Sequence, residues 1–163
     1  MVRLVVGSPI EDFETECFFD DEFSNIKLSD YKGKYIVLFF YPHDFQKPAE
    51  GELQEFSSRK SEFDSLNTQI LAFSTDSKYT HISWIQQGDL GLMEFPMVTD
   101  HAHQIGRQYG ILDAEAGKDY RTVIIVDPEM IVRHFSVFDP QMTVSVTEVL
   151  RLLSQLQNNK MET

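Results

Sequence analysis

Lys34-Tyr35-Ile36-Val37-Leu38-Phe39-Phe40-Tyr41-Pro42-His43-Asp44-Phe45 is the stretch that decides the fold. Lys34–Tyr41 is an almost unbroken apolar run, far short of the roughly 20 residues that a membrane helix needs. A strand that is apolar at every position, instead of alternating, is covered on both faces, as in the middle of an α/β sheet. Pro42 stops the run because it has no N–H for a ladder. His43-Asp44-Phe45 then reads as a loop leading to Pro48, which suits the first helical position because its missing N–H costs nothing there. Glu50 and Glu52 fall in that first turn, where acidic charge complements the helix dipole. Leu53, Phe56, Phe63 and Leu66 mark the buried stripe of one helix, at i, i+3, i+10 and i+13.

Before this stretch, Phe13–Phe19 alternates and pairs with Glu22–Lys27 across Asp20-Asp21, with a short helical turn expected at Leu28–Tyr31. After it, Gln69–Thr75 reads as a strand and Tyr79–Gln87 as a helix carrying Trp84. His101–Tyr109 reads as a short helix closed by Gly110 in the left-handed conformation. Arg121–Asp127 and Ile131–Phe138 are β-rich runs joined by the turn Asp127-Pro128-Glu129-Met130. The last helix opens with a capping box, Ser145-x-x-Glu148, and turns Val149, Leu152, Leu153 and Leu156 inward. Strands alternating with helices, with a hairpin near the end, predict an α/β fold built on a mixed sheet. Without a repeat or a Gly/Ser linker, residues 1–163 are expected to form a single domain.

Composition narrows the function. With 26 acidic against 14 basic residues the net charge is −12, a surface that repels phosphate backbones and anionic lipid. Neither nucleic acid nor membrane is expected as a partner. The single cysteine, Cys17, excludes an intrachain disulfide and any Cys-x-x-Cys redox or zinc motif. The opening Met-Val-Arg-Leu-Val-Val-Gly is too short for a signal peptide, so a cytoplasmic protein is expected.

The segment Phe39-Phe40-Tyr41-Pro42-His43-Asp44-Phe45, placed between a central strand and a helix, resembles the active-site approach of the peroxiredoxins. The likeness is to the typical two-cysteine branch, the alkyl hydroperoxide reductase C / thiol-specific antioxidant group, and it runs through nearly the whole chain. Val6-Gly7-Ser8-Pro9 with Asp12-Phe13, then Leu28-Ser29-Asp30-Tyr31-Lys32-Gly33-Lys34, match its first part. Ser74-Thr75-Asp76-Ser77 with His81 and Trp84, Asp89-Leu90-Gly91, Pro96, Arg107-x-Tyr109-Gly110 and Tyr120-Arg121 through Val126-Asp127-Pro128 follow in the family's order. The resemblance implies a thioredoxin-like fold of the peroxiredoxin type, a central mixed sheet flanked by helices.

What it implies for chemistry is different. These enzymes use Pro-x-x-x-Thr-x-x-Cys with a distant arginine, and a helix N-terminus and the arginine favour the thiolate. The same register here reads Pro42-His43-Asp44-Phe45-Gln46-Lys47-Pro48-Ala49. Pro42 and Arg121 are kept; Gln46 holds the threonine position and Ala49 the nucleophile position. Gln46 through Gly51 all depart from the pattern, while Glu52 fits it, so the loop reads as naturally remodelled. The chain ends at Thr163, about where the family's resolving-cysteine tail would begin.

Other candidates have ordinary explanations. Cys17 is the only possible replacement nucleophile, but it lies in an alternating run, as a small core residue would. Asp100-His101-Ala102-His103 contains a His-x-His, yet rings at i and i+2 of a helix diverge, so no metal site is expected. Met93 and Met97 near Phe95 read as core filler. Asp20-Asp21-Glu22 reads as a solvated face, and Glu50 and Glu52 as partners for Arg121 in an ion-pair or anion pocket. The expected function is that of a peroxiredoxin homologue without catalytic cysteines or cofactor, a pseudoenzyme serving binding, regulation or assembly. The alternative is a thiol-dependent peroxidase acting through Cys17 or a remodelled site. The family implies homodimers or ring-like homo-oligomers, and a true peroxiredoxin as a further partner.

Overall fold

In the computed structural model, which describes residues 3–88 and 90–158, the chain folds around a mixed seven-stranded sheet. Asp89 of the Asp89-Leu90-Gly91 motif, the first two residues and the end of the chain at Thr163 lie outside the described residues. The strands are β1 (Glu14–Phe19), β2 (Glu22–Lys27), β3 (Tyr35–Phe40), β4 (Thr68–Ser74), β5 (Met97–Thr99), β8 (Thr122–Val126) and β9 (Val132–Val137), in the order β2-β1-β5-β4-β3-β8-β9. A separate small hairpin joins β6 (Leu112–Asp113) to β7 (Lys118–Asp119). The helices are α1 (Lys47–Ser58), α2 (Lys60–Ser65), α3 (Lys78–Gln86), α4 (Gln104–Tyr109) and α5 (Val146–Asn158).

β3 is central and fully buried, parallel to β4 on one side and antiparallel to β8 on the other. Its side chains alternate between two cores, since neighbours on a strand point to opposite faces. Val37, Phe39 and Tyr41 join Ala49, Leu53, Phe56 and Phe63 of α1 and α2, Trp84 of α3 and Val149 and Leu153 of α5. Ile36, Leu38 and Phe40 join Cys17, Phe13, Leu28 and, from α4, Ile105 and Tyr109 on the other face.

Several expectations need correction. The stripe from Leu53 to Leu66 belongs to two helices, not one. Arg59 leaves the helical region at φ −105°, ψ 17°, and Ser58 Oγ bonds the Glu55 carbonyl at 3.0 Å, competing with the helical ladder. Pro48 is the second helical residue, after Lys47, a place in the first turn that still asks for no N–H. His101–Tyr109 is also split: a 3-10 turn covers His101–His103, and Ala102 and His103 take φ of 54° and 59° before α4 begins. Met97 fills the core as expected, but from a short strand, β5, that the sequence pattern does not announce.

Candidate functional site

The end of β3 and the start of α1 build the site. β3 delivers Tyr41 and Pro42 buried, and the chain reverses through Phe45, a bulky residue held at φ +63°. Gln46 is the N-cap of α1 in extended conformation and its side chain makes no capping bond. The next turn brings Ala49 inward with no exposed surface.

One further turn on, Glu52 meets Arg121, which stands just before β8. Arg121 Nε donates to Glu52 Oε1 at 2.9 Å, and both side chains are buried. Glu52 Oε2 accepts the Val144 amide at 2.6 Å, and Arg121 Nη1 donates to the Met142 carbonyl at 3.3 Å. The pair is therefore not the two-toothed fork expected of arginine and carboxylate; Glu52 divides its oxygens between a side chain and a backbone. Burial pushes the Glu52 carboxyl above its ordinary value, and the Val144 amide and Arg121 only partly oppose this. Glu50 goes elsewhere, pairing with the exposed Lys47 at 3.3 Å.

Cys17 is not part of this site. It sits in β1 within the opposite core, so the sheet separates it from Ala49 and Arg121. Its thiol is buried against Ser24 Oγ at 3.4 Å, and burial raises its pKa, which favours the unreactive thiol. His101 is exposed and His103 half-buried, and among the described residues no group of three metal-ligating side chains converges.

Spacing alone missed a second buried cluster beneath the loop. Asp44 Oδ2 lies 2.6 Å from His81 Nδ1, and His81 Nε2 lies 3.3 Å from the Val98 carbonyl. Tyr41 Oη donates to Asp44 Oδ1 at 2.7 Å, and the Asp44 amide donates to Asp76 Oδ2 at 2.6 Å. Burial, then the charge of Asp44, raises the Tyr41 phenol well above its ordinary value, so it remains a donor. These bonds tie the loop ahead of α1 to α3, and through His81 to β5, and to the turn after β4. The available signal was His81 sharing the apolar face of α3 with Trp84 and Ile85, at i, i+3 and i+4.

Chemically, the site offers a buried arginine with its charge already met, a helix start carrying a methyl group, and no thiol. Comparison with known proteins gives it a lineage. The AhpC/TSA family pattern matches residues 6–135. Peroxiredoxin prdx-2 of Caenorhabditis elegans is 43% identical over 161 residues, covering 96% of this chain and 80% of its own. Peroxiredoxin-2 of Bos taurus is 38% identical, covering 93% and 78%. Among solved structures, the reduced 2-Cys peroxiredoxin of Plasmodium vivax superposes with a TM-score of 0.91 at 29% identity, over 95% of this chain and 83% of that one. AhpC of Enterococcus faecalis gives 0.91 at 29%, over 96% and 95%. These likenesses, in sequence and in the thioredoxin-like arrangement of sheet and helices, make the chain a member of the AhpC/TSA family of peroxiredoxins.

Proposed function

We propose that this peroxiredoxin-family chain is not a peroxidase, and that it acts as a pseudoenzyme through binding or assembly. The observation that carries this reading is Ala49. It occupies the first turn of α1, one turn before the Glu52–Arg121 pair, at the position to which the sequence resemblance assigns the peroxide-attacking cysteine, and a methyl group has no lone pair with which to attack. Cys17 offers no replacement, because burial favours its protonated form and the sheet stands between it and Arg121. The experiment is peroxide consumption by the purified protein, with hydrogen peroxide and an organic hydroperoxide, with and without thioredoxin. Turnover above a thiol-blocked control overturns the reading, and turnover lost in Cys17→Ser would establish the thiol-peroxidase alternative.

For assembly, β9 is an edge strand of the sheet; its start at Val132 is bonded to Gly7 and Ser8, and the rest of its outer edge is where a second copy would pair. Phe45, on the loop before α1, and Tyr79, in the first turn of α3, are 56% and 66% exposed and lie where the family resemblance implies ring contacts. A homodimer or ring of this chain, or a mixed assembly with a true peroxiredoxin, is the form in which it would work.

A further inference from the structure

Away from this site, Asp119 lies in β7 opposite Leu112 of the small hairpin, fully buried, and neither of its carboxyl oxygens receives a hydrogen bond from an amide or a cation. The group it faces is another buried carboxyl, Asp100, in the turn after β5. Asp100 is already engaged: Oδ1 accepts the Ile105 amide at 2.6 Å and Oδ2 the Gly106 amide at 2.8 Å, at the start of α4. The approach is so close that a Cβ on residue 106 would overlap Asp119 Oδ1 and come within 3.0 Å of Asp100 Oδ2, so only glycine fits.

Among the described residues, no cation is within hydrogen-bond reach of either Asp119 oxygen. From the turn before α4, His103 buries its own Nδ1 without a hydrogen-bond partner. From α4, Tyr109 feels the charge of Asp100, which adds to burial, Asp12 and Glu11 in raising its phenol. From β6, Asp113 stands opposite Lys118, and Arg3 packs its stem on Gly110 at the far end of α4. Two ionised carboxylates in dry contact would suffer both repulsion and desolvation; one proton between them removes the repulsion and leaves a single buried charge.

We propose that Asp119 and Asp100 share one proton in the folded chain, and that this proton fastens the β6–β7 hairpin to the start of α4, so that the hairpin loosens as pH rises. Asp119 is the donor and Asp100 keeps its charge, which the two amides already stabilise. Burial first, then the hydrogen bond to Asp100 and its charge, push Asp119 from 3.8 up to about 9. Because the folded value is the higher one, the contribution to stability is complete below 3.8 and is gone once pH passes about 9.

Asp119→Asn tests this, since the amide donates the same bond and cannot ionise. Urea unfolding of both proteins between about pH 5 and about pH 8 should give a ratio of unfolding constants, wild type over variant, that rises roughly tenfold per pH unit. A ratio independent of pH overturns the proposal. Should the variant fail to fold, carbon-13 carboxyl spectra of the wild type decide: Asp119 unchanged through about pH 8 supports the shared proton, and a midpoint at the ordinary carboxylate value, near 4, overturns it.

Discussion

Glu52 Oε1 and Arg121 Nε lie 2.9 Å apart, with the two side chains 5% and 4% exposed, so the arginine that the sequence resemblance singles out is in contact with a buried carboxylate. A buried pair is poor evidence of net stabilisation, but removing one member strands the other charge. Arg121→Met should therefore cost about 3–5 kcal/mol in urea unfolding at neutral pH. Without Arg121, the Glu52 carboxyl, already raised by burial, rises further, and the folded variant takes up a proton that the unfolded chain releases. The loss should accordingly shrink as pH falls toward the ordinary value of 4.5, and grow as it rises. An equal loss at both ends of the range would show that Glu52 does not depend on Arg121. With the guanidinium so engaged, sulfate and phosphate should stabilise wild type and Arg121→Met alike.

The scaffold can be asked whether its electrostatics survive the loss of sulfur. Ala49→Cys with Gln46→Thr would place a thiol in the first turn of α1, where the helix dipole favours an anion, one turn from Arg121. The expected result is a thiol titrating below the free value of roughly 8.5, with single-turnover reactivity toward peroxide. Adding Arg121→Met should raise that value again. A thiol at or above roughly 8.5 in the double variant means that burial and Glu52 outweigh the helix and the arginine.

Asp44 and His81 form the second buried pair, 2.6 Å apart and without exposed surface. Asp44→Ala removes the acceptor of both His81 and Tyr41 and leaves a cavity under the loop. A loss of about 3–5 kcal/mol is expected, with faster hydrogen exchange along residues 42–46 and in α3. A loss below about 1 kcal/mol would mean that the loop is held by the packing of Phe45 on Trp84, 5.8 Å between ring centres, instead of by the polar cluster.

Much of this fold is legible in the chain because its signals are local. The apolar run at β3, the alternation of β1, the turn at Asp127 and the capping box before α5 each depend on neighbours a few residues away. The start of α5 keeps half of its box: Ser145 Oγ accepts the Glu148 amide at 3.2 Å, while the Glu148 carboxylate turns to Arg151 instead of back to Ser145. The break at Arg59 is less visible, since Ser57-Ser58 only weakens a helix whose apolar stripe continues across it. β5 is too short for a period to show. The partnerships are hidden for another reason. Asp44 and His81 are 37 positions apart and Arg121 and Glu52 69, and no spacing rule joins them. Family likeness pointed to Arg121 and Glu52, and left Asp119 facing Asp100 unseen.

Assembly gives the last test. The family resemblance implies an association that responds to redox state, because oxidation of an active-site cysteine would locally unfold the helix that carries it and loosen the rings. Ala49 cannot be oxidised, and Cys17 is buried in the opposite core with its thiol form favoured. The surfaces that would meet a second copy, edge strand β9, the loop bearing Phe45 and the start of α3 bearing Tyr79, contain no sulfur beyond Met. Sedimentation velocity at one protein concentration should thus return the same distribution in excess dithiothreitol and after peroxide treatment. A change in the distribution that disappears in Cys17→Ser would make that cysteine the sensor, and one that persists would place the response in the methionines.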